Sequence, residues 1–304
     1  MLRKVIVTTT IYNPTEAIEK FDHMKDWTLI VVGDLKTPKD FKLKNGIYIS
    51  SQEQERRNKE LSDLIGWNCI MRRNFGFLWA EDMGADIIAS VDDDNIPYDG
   101  WGKNLILDKE VEVDCYEIDI ECFDPVGVTN FSHLWHRGYP LQLLSKRNYS
   151  KKIKRKIKAD IQADFWDGDP DIDAVCRFEY NPQCKFDSKF FPFTSNKISP
   201  FNSQNTFITK KALPHYFILP HVGRMDDIWA SYHVQSLGFR VVYCAPSVEQ
   251  KRNKQDLTKN LKDEFLGYEK SLSLVSAINA GIYKMEDFWP ERTQKAYHVY
   301  KECF

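Results

Sequence analysis

Over the first third of the chain, short apolar runs alternate with stretches whose apolar residues recur at helical spacing. Lys4 to Ile11 is rich in β-branched residues and predicts a first strand. It ends at Asn13-Pro14-Thr15-Glu16, where Asn13 suits a helix cap, Pro14 a first helical position and Glu16 a capping box. Trp27 to Val32 predicts a second strand, closed by Gly33-Asp34, and Ile47 to Ile49 a short third one. From Asn74 to Gly84 the residues Phe75, Leu78, Trp79 and Met83 fall near helical spacing, with Gly84 as a C-terminal stop. Ala85 to Val91 then reads as a short buried strand. This alternation implies an α/β fold with a mostly parallel, Rossmann-type sheet flanked by helices.

Further along, Val111 to Cys122 is strand-like with acids interspersed. Residues 146–158 carry eight Lys and Arg, and Ile153, Ile157 and Ile161 are spaced four apart, which predicts a helix with one narrow apolar stripe. The acids Asp160, Asp164, Asp167, Asp169, Asp171 and Asp173 follow. Arg224 to Leu237 predicts another helix and Arg240 to Cys244 a strand. From about Gln250 the chain is polar and helix-prone. No internal repeat or flexible linker interrupts it.

Three consecutive acids, Asp92, Asp93 and Asp94, end the strand at Val91. Carboxylates crowded at a strand terminus repel one another unless a cation sits among them. Alternation places Asp92 and Asp94 on one side and Asp93 on the other. Two hard oxygen ligands on one side suit Mg²⁺ or Mn²⁺, which also takes phosphate oxygens. Ligands of open α/β sheets gather at the carboxyl ends of strands. A metal-bound diphosphate is therefore expected here, rather than a plain acidic turn.

Composition narrows the setting. The net charge of −2 argues against a nucleic-acid binder. Seven scattered cysteines without a CxxC pair read as reduced thiols of a cytosolic protein. The N-terminus lacks the apolar stretch of a signal peptide, and no segment reaches membrane-spanning length.

Several blocks, in order, carry a resemblance. They are Thr8 to Thr15, Val31 to Asp34 with Lys36-Thr37-Pro38, Arg73-Asn74, Asp92 to Asn95, Trp135 to Leu141, Asp169 to Ala174, Asn202 to Thr206, and Asp227-Ile228-Trp229. The set resembles the STELLO-type glycosyltransferases, and more widely the inverting enzymes of the GT-A fold, whose pattern is Arg-Asn-x-Gly on a helix followed by Asp-x-Asp. The reversibly glycosylated polypeptides are similar in the aspartate region. The resemblance implies a GT-A-like domain over 1–249, with a nucleotide-binding half at 1–100 and an acceptor half at 101–249, and a helical extension over 250–304.

It also implies roles. Thr9, Thr10, Ile11 and Tyr12 would face base and ribose. Asp34 would accept hydrogen bonds from the nucleoside, with Lys36 beside it. Arg73 and Asn74 would meet the donor at a helix N-terminus, where anions bind well. Asp92 and Asp94 would hold the metal, and Asp93 would face the ribose or a neighbouring basic group. Arg137 would clamp the diphosphate and Trp135 stack on a sugar, while Asn202, Gln204 and Asn205 would recognise hydroxyls. The base would be Asp227 or its neighbour Asp226. The third metal ligand would be His221, ahead of His215 and His133. The expected reaction is inverting transfer from a nucleoside diphosphate sugar, UDP-linked, to a glycan or glycolipid hydroxyl. A sugar-nucleotide mutase, a self-glycosylating protein and a non-catalytic partner in a glycan-synthesising complex are the rivals. The basic stretch at 146–158 is either a peripheral contact with anionic lipid or a solvated face.

Overall fold

The computed structural model describes residues 2–252 and 255–304. The chain forms β1 (Lys4–Thr9), α1 (Glu16–Asp22), β2 (Thr28–Val32), β3 (Ile47–Ile49), α2 (Ser51–Arg57), α3 (Lys59–Ile65), α4 (Arg73–Asp82), β4 (Ile87–Val91) and β5 (Asn95–Pro97). It continues with β6 (Glu110–Tyr116), β7 (Lys152–Lys158), β8 (Ile161–Gly168), α5 (Ala174–Glu179), β9 (Phe193–Ser195), β10 (Asn205–Thr209), α6 (Asp226–Ser236) and β11 (Val241–Gln250). Two helices, α7 (Leu257–Asn279) and α8 (Glu291–Lys301), complete it.

One sheet runs in the order β3-β2-β1-β4-β10-β8-β11-β9-β6-β7, with β5 paired to β11. The first four strands are mutually parallel. β1, β2 and β4 are buried almost throughout, which explains their continuous apolar sequence. Beyond β4 the sheet is mixed: β10 runs antiparallel to both neighbours, while β8 and β11 are parallel. The chain builds β2 and β3 on one side of β1 and returns as β4 on the other. That reversal opens a crevice at the carboxyl ends of β1 and β4, where such sheets bind ligands.

α4 lies across β1 and β2 as the helical spacing predicted. Gly76 makes this approach close, since a Cβ there would collide with the Val7 and Val32 side chains. The first helix starts later than expected. Thr15, not Asn13, caps it, accepting from the Ile18 N–H at 3.2 Å.

The basic stretch is not a helix. Lys152–Lys158 is the edge strand β7, antiparallel to β6. A spacing of four is even, so it fits a strand as well as a helix. The partner strand decides: Lys154, Lys156 and Lys158 stand opposite Asp114, Glu112 and Glu110, and Lys152 and Lys154 both pair with Asp114, at 2.8 and 2.7 Å. Ile161 belongs to β8 instead. A lysine-rich edge also discourages pairing with other chains.

The C-terminal helices fold back onto the sheet domain. Trp229 donates to Ser271 at 3.0 Å, His233 sits between the hydroxyls of Tyr283 and Tyr297, and Tyr300 donates to the Leu213 carbonyl at 3.1 Å. One apolar core runs from Val5 to Tyr300. Among the described residues, no helix is long and apolar enough to cross a membrane.

Candidate active site

The crevice holds a cavity of about 250 Å³ lined by Thr9 to Tyr12, Asp34, Asn68 to Ile70, Arg72, Arg73 and the three aspartates. Thr10 and Thr15 both secure Asp93: the Thr10 hydroxyl donates to its carboxylate and the Thr15 hydroxyl to its carbonyl. Ile11 and Tyr12 are exposed at the rim. Asp34 is fully used by the backbone. It accepts from the N–H groups of Leu35, Asn68 and Cys69 at 2.6, 2.9 and 3.0 Å, and so ties the 68–70 turn to the end of β2. Asn68 has φ of 59°, a left-handed conformation that asparagine tolerates better than most residues. Lys36 is exposed on the same loop.

Arg73, the first residue of α4, is buried. It donates to Asp92 at 2.7 Å, to the Ser203 carbonyl at 2.8 Å, and to the hydroxyls of Ser203 and Ser90 at 3.1 and 3.2 Å. Its neighbour Arg72 turns away, bonds Gln54 at 2.7 Å and lies 3.6 Å over the Trp67 ring. Burial and the Asp92 charge raise Asp93, although the Thr10 hydrogen bond opposes this. Burial and Asp92 push the Asp94 carboxyl up to about 7, against the pull of Arg252. Asp94 accepts from the Gln250 amide at a long 3.4 Å. Of three crowded carboxyls at the cavity mouth, only Asp92 is paired directly with an arginine. That donor set suits a hard divalent cation. Among the described residues, no group of three or more His, Cys, Asp or Glu could cage a metal alone. An ion at this mouth would need oxygens from a bound ligand as well.

The histidines do not join them. His221 pairs with the Leu64 carbonyl at 2.8 Å, His133 packs edge-on to Tyr180, and His215 lies near Phe239 and Lys301. His221 is thereby removed as third ligand: its ring is engaged elsewhere.

A second polar centre lies at the start of α6. Arg137 is buried and does not line the crevice. It binds Asp171 through Nε and Nη2 at 2.8–3.0 Å, Asp227 at 3.0 Å and Asp226 at 3.6 Å. Burial disfavours its charge, but Asp171 and Asp227 outweigh that and raise it well above the ordinary value. Burial also opposes ionisation of Asp171, yet Arg137 and Arg252 hold its carboxyl well below the usual range. Asp227 is likewise kept low, by Arg137 and the Ser203 N–H, whereas burial and the Asp227 charge raise Asp226.

Residues 202–204 join the two centres. Asp227 accepts from the Ser203 N–H and hydroxyl at 2.8 and 3.0 Å, and Arg73 reaches Ser203 from the other side. Asn202 donates to Asp171 at 3.1 Å and to Gln204 at 3.0 Å; Gln204 donates to Gln250 at 2.9 Å, and Gln250 to Asp94. A chain of contacts thus runs from Asp92 through Arg73, Ser203, Asp227, Arg137, Asp171, Asn202, Gln204 and Gln250 to Asp94. The sequence reading did not single out Ser203, Gln250 or Arg252 for function. Ser203 lay inside the block Asn202 to Thr206 without being assigned a role, and nothing in the sequence marked Gln250 or Arg252.

Other expected ligand residues face inward. The Asn74 amide clasps the Ile218 backbone with bonds of 2.8 and 2.9 Å. Asn205 accepts from Trp101 and donates to the Phe165 carbonyl and the Ser247 hydroxyl. Trp135 is buried. Arg137, Asn74 and Asn205 are buried and hold protein groups in this structure.

No family model matches the chain. It is 26% identical over 271 residues to the probable glycosyltransferase STELLO2 of Arabidopsis thaliana, an alignment covering 81% of this chain and 35% of the relative. With probable glycosyltransferase STELLO1 of the same plant it is 26% identical over 265 residues, covering 79% and 34%. The chain spans about a third of the length of these curated relatives.

Proposed function

We propose that this protein is a glycosyltransferase of GT-A-like fold, binding a nucleoside diphosphate sugar in the crevice at the ends of β1, β2 and β4. The observation that carries this is the aspartate triplet at the topological switch point, three carboxyls of which only Asp92 is paired directly with an arginine. Similarity to two probable glycosyltransferases supports the same class.

Base and ribose would lie along Thr9 to Tyr12, over the turn that Asp34 fixes. Tyr12, half exposed at the rim, offers a stacking face. Asp92 and Asp94 would hold Mg²⁺ or Mn²⁺ between themselves and the diphosphate. When bound, that ion supplies Lewis acidity toward the departing diphosphate. Arg73 fixes the angle of Asp92, and Ser203 fixes Arg73. Asp227 accepts directly from Ser203, and it or its neighbour Asp226 would supply the carboxylate that an inverting displacement needs to take the acceptor's proton. The acceptor is a hydroxyl of a glycan or glycolipid, and UDP is the first nucleotide to test.

Incubating the protein with a panel of UDP, GDP and CDP sugars, with Mn²⁺ or with EDTA, tests this. Metal-dependent release of free sugar from one donor supports transfer with water as the acceptor. Binding of nucleotide without turnover of any donor or any offered glycan would favour a non-catalytic role.

A further inference from the structure

Away from the crevice, a cavity of about 290 Å³ lies between the 98–105 loop and the paired strands β8 and β11. A bulge opens it. Cys244 pairs with Asp164 and Val248 with Trp166, so Ala245, Pro246 and Ser247 stand opposite Phe165 alone. Bulges of this kind re-aim side chains and are over-represented beside functional sites. Gln162 and Asp164, two apart on β8, point to one face and line the cavity. Tyr98, Trp101, Asn104 and Ser247 line it too.

Asp164 is only 7% exposed, yet both of its partners are neutral. The Gln162 amide donates at 2.8 Å, its orientation fixed because its carbonyl takes the Ile106 N–H at 2.9 Å. Ser247 accepts from the Asn205 amide at 2.9 Å, which leaves its own proton for Asp164. An ionised carboxylate offers about four acceptor sites, so lone pairs remain unused. Among the described residues, no lysine or arginine lines the cavity or pairs with Asp164. A buried carboxyl without a counter-ion is costly, and in a cavity it marks a place for a ligand.

A metal ion is poorly served there. The amide turns its hydrogens, not its oxygen, toward the carboxyl, and among the described residues no group of three metal-ligating side chains occurs. Hydroxyl groups are well served. Asp164 accepts from them, the exposed Asn104 amide offers both donor and acceptor, and Tyr98 and Trp101 add ring surface. Asn205 orients two of these groups, taking the Trp101 N–H at 2.9 Å and donating to Ser247. We propose that this cavity is a second saccharide site, separate from the donor crevice, in which Asp164 and Asn104 bind the hydroxyls of a neutral glycan. Along β5 and β11, the backbone bond from Tyr98 to Ser247 lies four residues, about 13 Å, from the one between Lys251 and Asp94. The cavity thus holds an acceptor glycan at a distance from its reacting end. That use rests on the glycosyltransferase reading, whereas the binding itself does not.

Saturation-transfer NMR on the full chain tests this with glucose, galactose, mannose, xylose and arabinose, and with cellobiose and maltose. At least one of these should bind the wild type, and bind equally to Asp92→Asn, whose change lies in the donor crevice. Asp164→Asn should weaken that binding about tenfold or more, because hydrogen bonds to a charged group are the stronger ones. Asn104→Ala should weaken it about two- to tenfold. Asn104 is exposed, so its variant decides the matter if Asp164→Asn fails to fold. Binding that survives both substitutions, binding lost in Asp92→Asn, or no binding of any of these sugars overturns the proposal. Ca²⁺ bound by Asp92→Asn, and released when Asp164 is also replaced, overturns it as well. If the wild type hydrolyses no nucleotide sugar, the functional reading falls, while the sugar titrations still decide whether this cavity binds saccharide.

Discussion

Ser203 stands between the two halves of the site. Its hydroxyl and N–H serve Asp227, and its carbonyl receives Arg73, which in turn holds Asp92. Hydrogen bonds to charged groups contribute about 1.5–3 kcal/mol, so Ser203→Ala should lower unfolding free energy by about 1–3 kcal/mol in urea denaturation. It should also weaken nucleotide binding, although Ser203 does not itself line the crevice and acts through Arg73, which does. Asp164 offers a separate pH test. It is buried, with the Gln162 amide donating at 2.8 Å, and burial pushes its carboxyl up to about 7. A raised folded value means that its stability contribution is complete below the unfolded value of about 3.9 and is lost as pH climbs through about 7. Between those limits, stability should fall by up to about 1.4 kcal/mol per pH unit on its account. Asp164→Asn should flatten that slope when wild type and variant are unfolded in urea from pH 4 to pH 8; an unchanged slope would show that Asp164 ionises normally. At this scale the triplet Asp92–Asp94 was legible because a run of acids after a buried strand has few structural uses. Asn74, Asn205 and Arg137 were legible as polar but not as inward-facing, since one residue's type does not say which way it points.

The helix α4 shows what an element contributes. It carries Arg73 at its first position and lies on β1 and β2 through Gly76. Alanine has the better helix propensity, yet its methyl group would strike Val7 and Val32. Gly76→Ala should therefore destabilise by about 1–3 kcal/mol and tilt Arg73 away from Asp92, seen as a lower melting temperature together with weaker nucleotide binding. β7 makes the opposite case. Its lysines face acids of β6, and such exposed pairs contribute about 0–1 kcal/mol each. Asp114→Ala should cost no more than about 1 kcal/mol, and the cost should shrink in high salt. The first four strands and α4 could be read from their own residues, because parallel strands buried on both faces are continuously apolar. β6, β7 and β9 could not. Their pairing joins residues far apart in the chain, and an even spacing of isoleucines satisfies helix and strand alike.

On the scale of the whole molecule, the polar chain of contacts links the end of β4, the starts of α4 and α6 and the end of β11, so the site exists only when the sheet is complete. The C-terminal helices share in that completeness. Trp289, Tyr297 and Tyr300 are buried against the sheet domain, each burial contributing about 1.5–3 kcal/mol. A chain ending at Ala280 should lose cooperative unfolding or solubility, rather than behave as an intact domain minus a tail. The central claim is that the aspartate triplet and a divalent cation together bind a nucleoside diphosphate. Thermal unfolding with UDP, GDP or CDP tests it most directly, in Mn²⁺ and in EDTA, on the wild type and on Asp92→Asn and Asp94→Asn. At a hundredfold excess over the dissociation constant, binding adds about 2.7 kcal/mol, a rise of about 5 °C or more for a chain of this size. The account predicts that rise for one nucleotide with Mn²⁺, its loss in EDTA and its loss in both variants. Equal stabilisation with and without the metal, or undiminished stabilisation in Asp94→Asn, would contradict it.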